Sequence, residues 1–281
     1  MNEFYIILTG CLVAISCSLL GCFLILRKMS LVGDAISHAV LPGIVIAFLF
    51  SGSRDTLPML VGAGSLGLIT TFLIEFFHRK AQLQEDASIG VTFTWLFAIG
   101  IILISMFASK VDLDQDCVLY GEIAYVGLGI NGVPPTIYIL GVILLLIIVF
   151  IYIFYKHLFV TTFDPSYASA IGVSVTIWHY ALMGMVSLTT VASFEYVGSI
   201  LVVAFLVIPA ATAYLLTDKL VAMMGIASLV GVLSSVLGFY LAYSINGSIA
   251  AAMATVSGLF FILALLFNRN GALHKLLSTN Q

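Results

Sequence analysis

The chain has 281 residues, of which 62% are apolar and 8% charged, with a formal net charge of −3. Ordinary soluble domains carry roughly 25% charged residues, so this composition, with a mean hydropathy of +1.21, excludes a soluble globular protein. Apolar stretches of about 20 residues, the length that crosses hydrocarbon, place the chain in a bilayer as an all-α bundle of spanning helices.

The first span is expected at 4–26. Asn2 and Glu3 stand where a signal peptide would be basic, and the apolar run is of spanning length, so this segment is read as a retained helix. It holds Cys11, Cys17 and Cys22, and with Cys117 alone in a later loop no disulfide or CxxC metal framework is indicated. Further spans are expected at 35–53, 57–77, 90–108, 136–155, 175–192, 197–216, 220–243 and 248–267, nine in all, or eight if the second or the sixth is not one. Too little loop remains for a second, soluble domain, so residues 1–281 read as a single transmembrane domain, and any large energy-coupling or ligand-capture module must be another chain.

Orientation follows from the basic residues. Arg27, Lys28, Arg79, Lys80, Lys156, Lys219, Arg269 and Lys275 share one side if the N-terminus is outside, which puts the tail 268–281 in the cytoplasm. The outer side has Arg54 and Lys110 and collects Asp55, Asp112, Asp114, Asp116, Glu122 and Glu195, either an ordinary solvated surface or a local attractor for cations. A calcium loop is rejected there, because Cys117 and Ile123 occupy the positions of the turn glycine and the bidentate glutamate.

Three stretches carry chemical information. In RKMSLVGDAISHAVLPG, residues 27–43, Asp34 and His38 are four apart and share one face of a helix. An ionisable pair at a membrane span is costly unless it faces protein, water or a ligand, and one carboxylate with one imidazole suits Mn²⁺, Fe²⁺ or Zn²⁺ better than Mg²⁺ or Ca²⁺. Two readings are open: the pair holds a metal, with a dimer supplying four donors, or Asp34 caps a helix starting at Ala35 and His38 is a buried hydrogen-bonding partner. In TTFDPSYASAIGV, Asp164 suits an N-cap, Pro165 the first turn and Gly172 a terminator, which writes a short separate helix. Its small Ala168 and Ala170 with the larger Tyr167 and Ile171 suit the groove of a partner protein, and the basic face of a lipid-lying helix is missing.

The third stretch is SFEYVGSILVVAFLVIPAATA, where Pro209 interrupts an apolar span as Pro42 does in the second. Bent helices in separate parts of a membrane chain point to a transport path. Glu195 is a further ligand, an outer gate or a surface carboxylate, and Glu75 has the same standing; His179 reads as a helix-packing histidine. Ala227, Gly231 and Ser235 form a small-residue stripe for close helix contact. There is no GxxxxGK[ST], no HExxH and no basic stripe, so nucleotide cradling, zincin-type proteolysis and nucleic-acid binding are unsupported.

GDAISHAVLPG at 33–43, YGEI at 120–123, FDPSYASAIG at 163–172 and VGSILVVAFLVIPAATA at 197–213 resemble the permease subunits of ATP-binding-cassette importers for manganese, zinc and iron. The likeness covers essentially the whole chain, and GDAISHAVLPG is its most specific motif. It implies a non-enzymatic permease of a bacterial plasma membrane, paired with a second copy or a related permease, bound to two cytoplasmic ATPase subunits and fed by an extracytoplasmic metal-binding protein. It implies no resident cofactor, with the metal as cargo and ATP handled by the partner. By the same likeness Asp34 and His38 coordinate the passing ion, with Glu195 less securely matched, and the segment Phe163, Asp164, Pro165, Tyr167, Ala168, Ile171 and Gly172 is the coupling helix that rests in the ATPase. The competing expectation is a proton-coupled secondary carrier with Asp34, His38 and Glu195 as its relay.

Overall fold

The structure, a computed structural model, describes residues 2–51, 56–107, 123, 126 and 133–267. Its helices are α1 (Asn2–Leu26), α2 (Val32–Ala39), α3 (Leu41–Ser51), α4 (Thr56–Lys80), α5 (Glu85–Phe107), α6 (Pro135–Phe163), α7 (Pro165–Ala170), α8 (Val175–Val197), α9 (Ser199–Leu216), α10 (Leu220–Ile245) and α11 (Ile249–Phe267). Among the described residues there is no strand, and nine segments are long and apolar enough to cross a membrane, α2 and α3 together counting as one. The expected nine spans are present. The acidic residues Asp55, Asp112, Asp114, Asp116 and Glu122, the basic Arg54 and Lys110, Cys117, and the tail 268–281 with Arg269 and Lys275 lie outside the described residues.

Several boundaries differ from the sequence reading, three of them for an evident local reason. The second span begins at Val32 and divides at Val40, where the Gly43 N–H donates to the Val40 carbonyl at 2.9 Å. Pro42 has no N–H with which to reach the His38 carbonyl, so the α-helical ladder cannot run through this point. The fifth span extends to Phe163 instead of 155, because Lys156 and His157 are ordinary helix residues once the chain has left hydrocarbon. At 29 residues, α6 is about 43 Å long at 1.5 Å per residue, well beyond the ~30 Å hydrocarbon layer. The sixth span runs to Val197, and Gly198, at φ 79°, separates it from α9.

The chain forms two compact units. One contains α1, the first part of α6, and α9, α10 and α11. Here α1 packs on α9 and α10, and α11 packs on the same two helices. Close approach depends on residues without bulk: a Cβ at Gly21 would collide with the Leu206 carbonyl, and one at Gly238 with the Met253 backbone. The expected stripe on α10 serves this packing, since a Cβ at Gly231 would lie 3.0 Å from that of Ala14. Pro209 lies buried within a continuous α9.

The second unit contains α2 to α5, the remainder of α6, α7, and α8 up to Glu195. α2 lies against α4 and α5, and α3 against the same two. Gly43 and Gly62 approach so closely that a Cβ on either would strike the other's carbonyl. At Gly67 three helices meet: a Cβ there would collide with Ser187 Oγ on α8 and lie 3.4 Å from Ile36 Cγ2 on α2.

Candidate functional site

Asp34 and His38 project from one face of α2, as their spacing requires. His38 Nε2 lies 3.5 Å from Asp34 Oδ1, with side-chain exposures of 31% and 45%. The residues around them, Val32, Gly33, Ala35, Ile36, Ser37 and Ala39, are buried. The rest of α2 thus packs into its unit, while this pair faces outward.

The carboxylate is not spent on capping. α2 begins at Val32, its N-cap is Leu31, and no side chain closes the helix start. Asp34 lies in the first helical turn, where a negative charge gains about 0.3–1 kcal/mol from the helix N-terminus. Ser37 Oγ donates to the Asp34 backbone carbonyl at 2.6 Å, leaving the side-chain oxygens to other uses. Among the described residues neither side chain has an ion pair or hydrogen bond outside the pair.

His38 is held by aromatic rings of α5. Its ring centroid is 6.0 Å from that of Phe93 and 5.6 Å from that of Phe97, the latter edge-on. These rings restrict the imidazole and shield one side of it from water. Nothing in the sequence tied span two to span four, although Phe93 and Phe97 share a helix face.

Two donors about 2.1 Å from a tetrahedral ion stand roughly 3.4 Å apart, close to the observed 3.5 Å separation. The pair therefore has the bite of a two-donor chelate, with one oxygen and one nitrogen. Among the described residues no three His, Cys, Asp or Glu side chains gather tightly enough to hold one ion. Glu195 is exposed near the end of α8, and the structure does not bring it into a three-residue cluster with Asp34 and His38.

The short helix between α6 and α8 is present. Asp164 caps it, accepting from the Tyr167 N–H at 2.9 Å, and Pro165 opens its first turn. At its end Gly172 takes φ 83°; the Gly172 N–H donates to the Ser169 carbonyl and the Val173 N–H to that of Ala168, at 3.1 and 2.9 Å. This is the Schellman closure that a left-handed glycine permits. Phe163, Tyr167 and Ile171 are 50%, 56% and 51% exposed, whereas Ala168 is fully buried. The smallness of Ala168 therefore seats α7 on its own chain, and the outward face is carried by the larger residues.

One association was not anticipated. Glu75 near the end of α4 and His179 at the start of α8 approach to 3.5 Å between Oε2 and Nε2, with side-chain exposures of 12% and 11%. The sequence leaves Glu75 open between ligand, gate and surface carboxylate and reads His179 as a packing histidine; only the fold brings such distant positions together.

The ABC 3 transport family matches residues 3–268. A manganese transport system membrane protein, MntD, of Bacillus subtilis is 47% identical over 99% of this chain and 96% of its own length. The zinc transport system membrane protein TroD of Treponema pallidum is 38% identical, covering 97% and 76%. The chelated iron transport system membrane protein YfeD of Yersinia pestis is 33% identical, covering 93% and 84%. Among solved structures, PsaBC from Streptococcus pneumoniae in complex with Fab superimposes with a TM-score of 0.80 at 35% identity, over 98% of this chain and 94% of that one.

Proposed function

Because the chain belongs to the ABC 3 transport family, we propose that it forms the membrane path of an ATP-driven importer for manganese, zinc or iron. It is a multi-pass bacterial membrane protein and a transporter permease. The whole chain acts as one permease domain, beside a second copy or a related permease.

The observation that carries the metal assignment is the Asp34–His38 pair, two donors one helical turn apart at chelating distance on the open face of α2. Each partner in a dimer would contribute the same pair, so four donors can meet one ion near the symmetry axis. Hold must be moderate, since an ion bound by a complete, rigid shell would not leave. Pro42 supplies a backbone break along the path, Pro209 frees a carbonyl within the unbroken α9, and Glu195 guards its outer end.

An extracytoplasmic binding protein delivers the ion to the outer face. Two cytoplasmic ATPases receive the α7 helices through Phe163, Tyr167 and Ile171, with Asp164, Pro165 and Gly172 shaping the helix and Ala168 anchoring it. ATP-driven closure of those subunits moves α7 and switches access from outside to inside.

Cells carrying the complete system test this reading. Uptake of one of the three metals stops on ATP depletion and survives an uncoupler. Asp34→Asn and His38→Ala abolish accumulation while membrane insertion is retained. Unchanged uptake in both variants removes the site assignment.

A further inference from the structure

The α7 end of the second unit contains a connection that neither the metal pair nor the docking face uses. Trp178 and His179 are adjacent at the start of α8 but engage different helices. The Trp178 ring packs against two rings of α6, with centroids 4.8 Å from Phe154 and 4.8 Å from His157, the latter stacked at 21°. His179 reaches Glu75 of α4 at 3.5 Å, almost buried. The aromatic clasp ties α8 to the helix that precedes α7, so the α6–α7–α8 segment is braced at its base. The His179–Glu75 contact ties that braced segment to α4.

Along α4 the connection continues to the metal pair. Glu75 and His179 lie eight residues from Gly67 and Ser187 respectively, about 12 Å along each helix. At Gly67, α4 touches Ser187 and also Ile36, the residue of α2 between Asp34 and His38. The absence of a side chain at Gly67 leaves no slack for these helices to slide independently.

We propose that Glu75 and His179 form a coupling strut, which passes displacement of α7 through the start of α8 into α4 and so to the helix bearing Asp34 and His38. The proposal rests on the reading of α7 as the ATPase contact. Glu75 and His179 are positioning residues; they do not touch the ion. A buried carboxylate–imidazole pair suits the task, because separating the two groups in a low dielectric is costly, so the helices move together.

The test uses the complete transporter, this chain with its ATPases and binding protein, in proteoliposomes. Uptake of whichever of manganese, zinc and iron the unsubstituted complex accumulates is measured beside ATP hydrolysis in the same vesicles. In Glu75→Leu the ions moved per ATP hydrolysed fall by roughly two- to thirtyfold, the range of 0.5–2 kcal/mol coupling changes, while hydrolysis continues. Glu75→Gln, which preserves shape and one hydrogen bond, falls between the two and decides the matter if the leucine variant fails to assemble. The exchange Glu75→His with His179→Glu restores the ratio. A purely structural role lowers the amount of complex and leaves the ratio of the remainder unchanged, which overturns the strut. So does a raised metal concentration for half-maximal uptake at constant ratio, the signature of a second metal site. If the unsubstituted complex accumulates none of the three metals, the importer reading fails first; if it does and the ratios do not move, the strut alone fails.

Discussion

At the scale of single residues, the proposed metal site needs a free ring nitrogen on His38. An imidazole nitrogen that carries a proton cannot also bind a metal, so protons and metal compete for it. Acid therefore works against binding, and the metal concentration for half-maximal uptake should rise as pH is lowered. Initial rates of ATP-driven uptake in vesicles, with hydrolysis followed in parallel, measure this. A half-saturation concentration that does not respond to acid removes His38 from the ligand set. The Asp34–His38 pairing was legible because helix geometry is local: four positions in sequence fix a shared face before any tertiary contact exists. Phe93 and Phe97, and the meeting of Glu75 with His179, were not legible, because they depend on which helices become neighbours.

At the scale of elements, α7 is a six-residue helix, too short to be stable by propagation alone. Its ends do the work. Removing the Asp164 cap, as in Asp164→Ala, costs about 0.5–2 kcal/mol, and Gly172→Ala forces a Cβ into left-handed backbone at about 1–2 kcal/mol. Among the described residues, and apart from its own chain neighbours, no atom lies within 4 Å of a Cβ at Gly172, so the penalty there is conformational and not steric. Tyr167→Ala tests the outward face directly. It should leave the detergent-extracted permease as stable as before and weaken ATPase binding about fivefold or more, corresponding to upwards of about 1 kcal/mol for an anchoring aromatic. Co-purification and titration with the ATPase read the two effects apart, and undiminished binding ends the docking assignment. Asp164, Pro165 and Gly172 could be read in advance because caps are written in adjacent residues. Two other features were hidden for physical reasons. Pro42 announced an interruption but its place is Val40, since the lost hydrogen bond is felt upstream of the ring; and α6 outran its expected end because one lysine does not terminate a helix.

At the scale of the whole molecule, hydropathy was enough to count the spans, but the start expected at Gly90 and the end expected before Lys156 missed by five and eight residues, because neither residue stops a helix. Orientation rests on the distribution of lysine and arginine. With Cys117 replaced by serine, Lys156→Cys and Lys219→Cys should react with a membrane-impermeant maleimide only in inside-out vesicles, and Asn246→Cys only in right-side-out cells. The reverse pattern inverts the topology and places α7 on the wrong side for a cytoplasmic ATPase. The packing within each unit was not legible, because Gly21 against Leu206 and Gly67 against Ser187 are contacts that a one-dimensional pattern does not specify.

The eight-residue α2 is a tile between two breaks, with a left-handed Lys28 shortly before it and the interruption at Val40 after it. Two turns of helix have almost no rigidity of their own, so the angle between its two donors is lent by whatever surrounds them. Tuning for an ion of different radius then requires no new ligand. If the proposed site holds, small replacements at Ile36 or along the facing surfaces of α4 and α5 re-aim the same oxygen and nitrogen, and selectivity drifts through the frame with Asp34 and His38 unchanged.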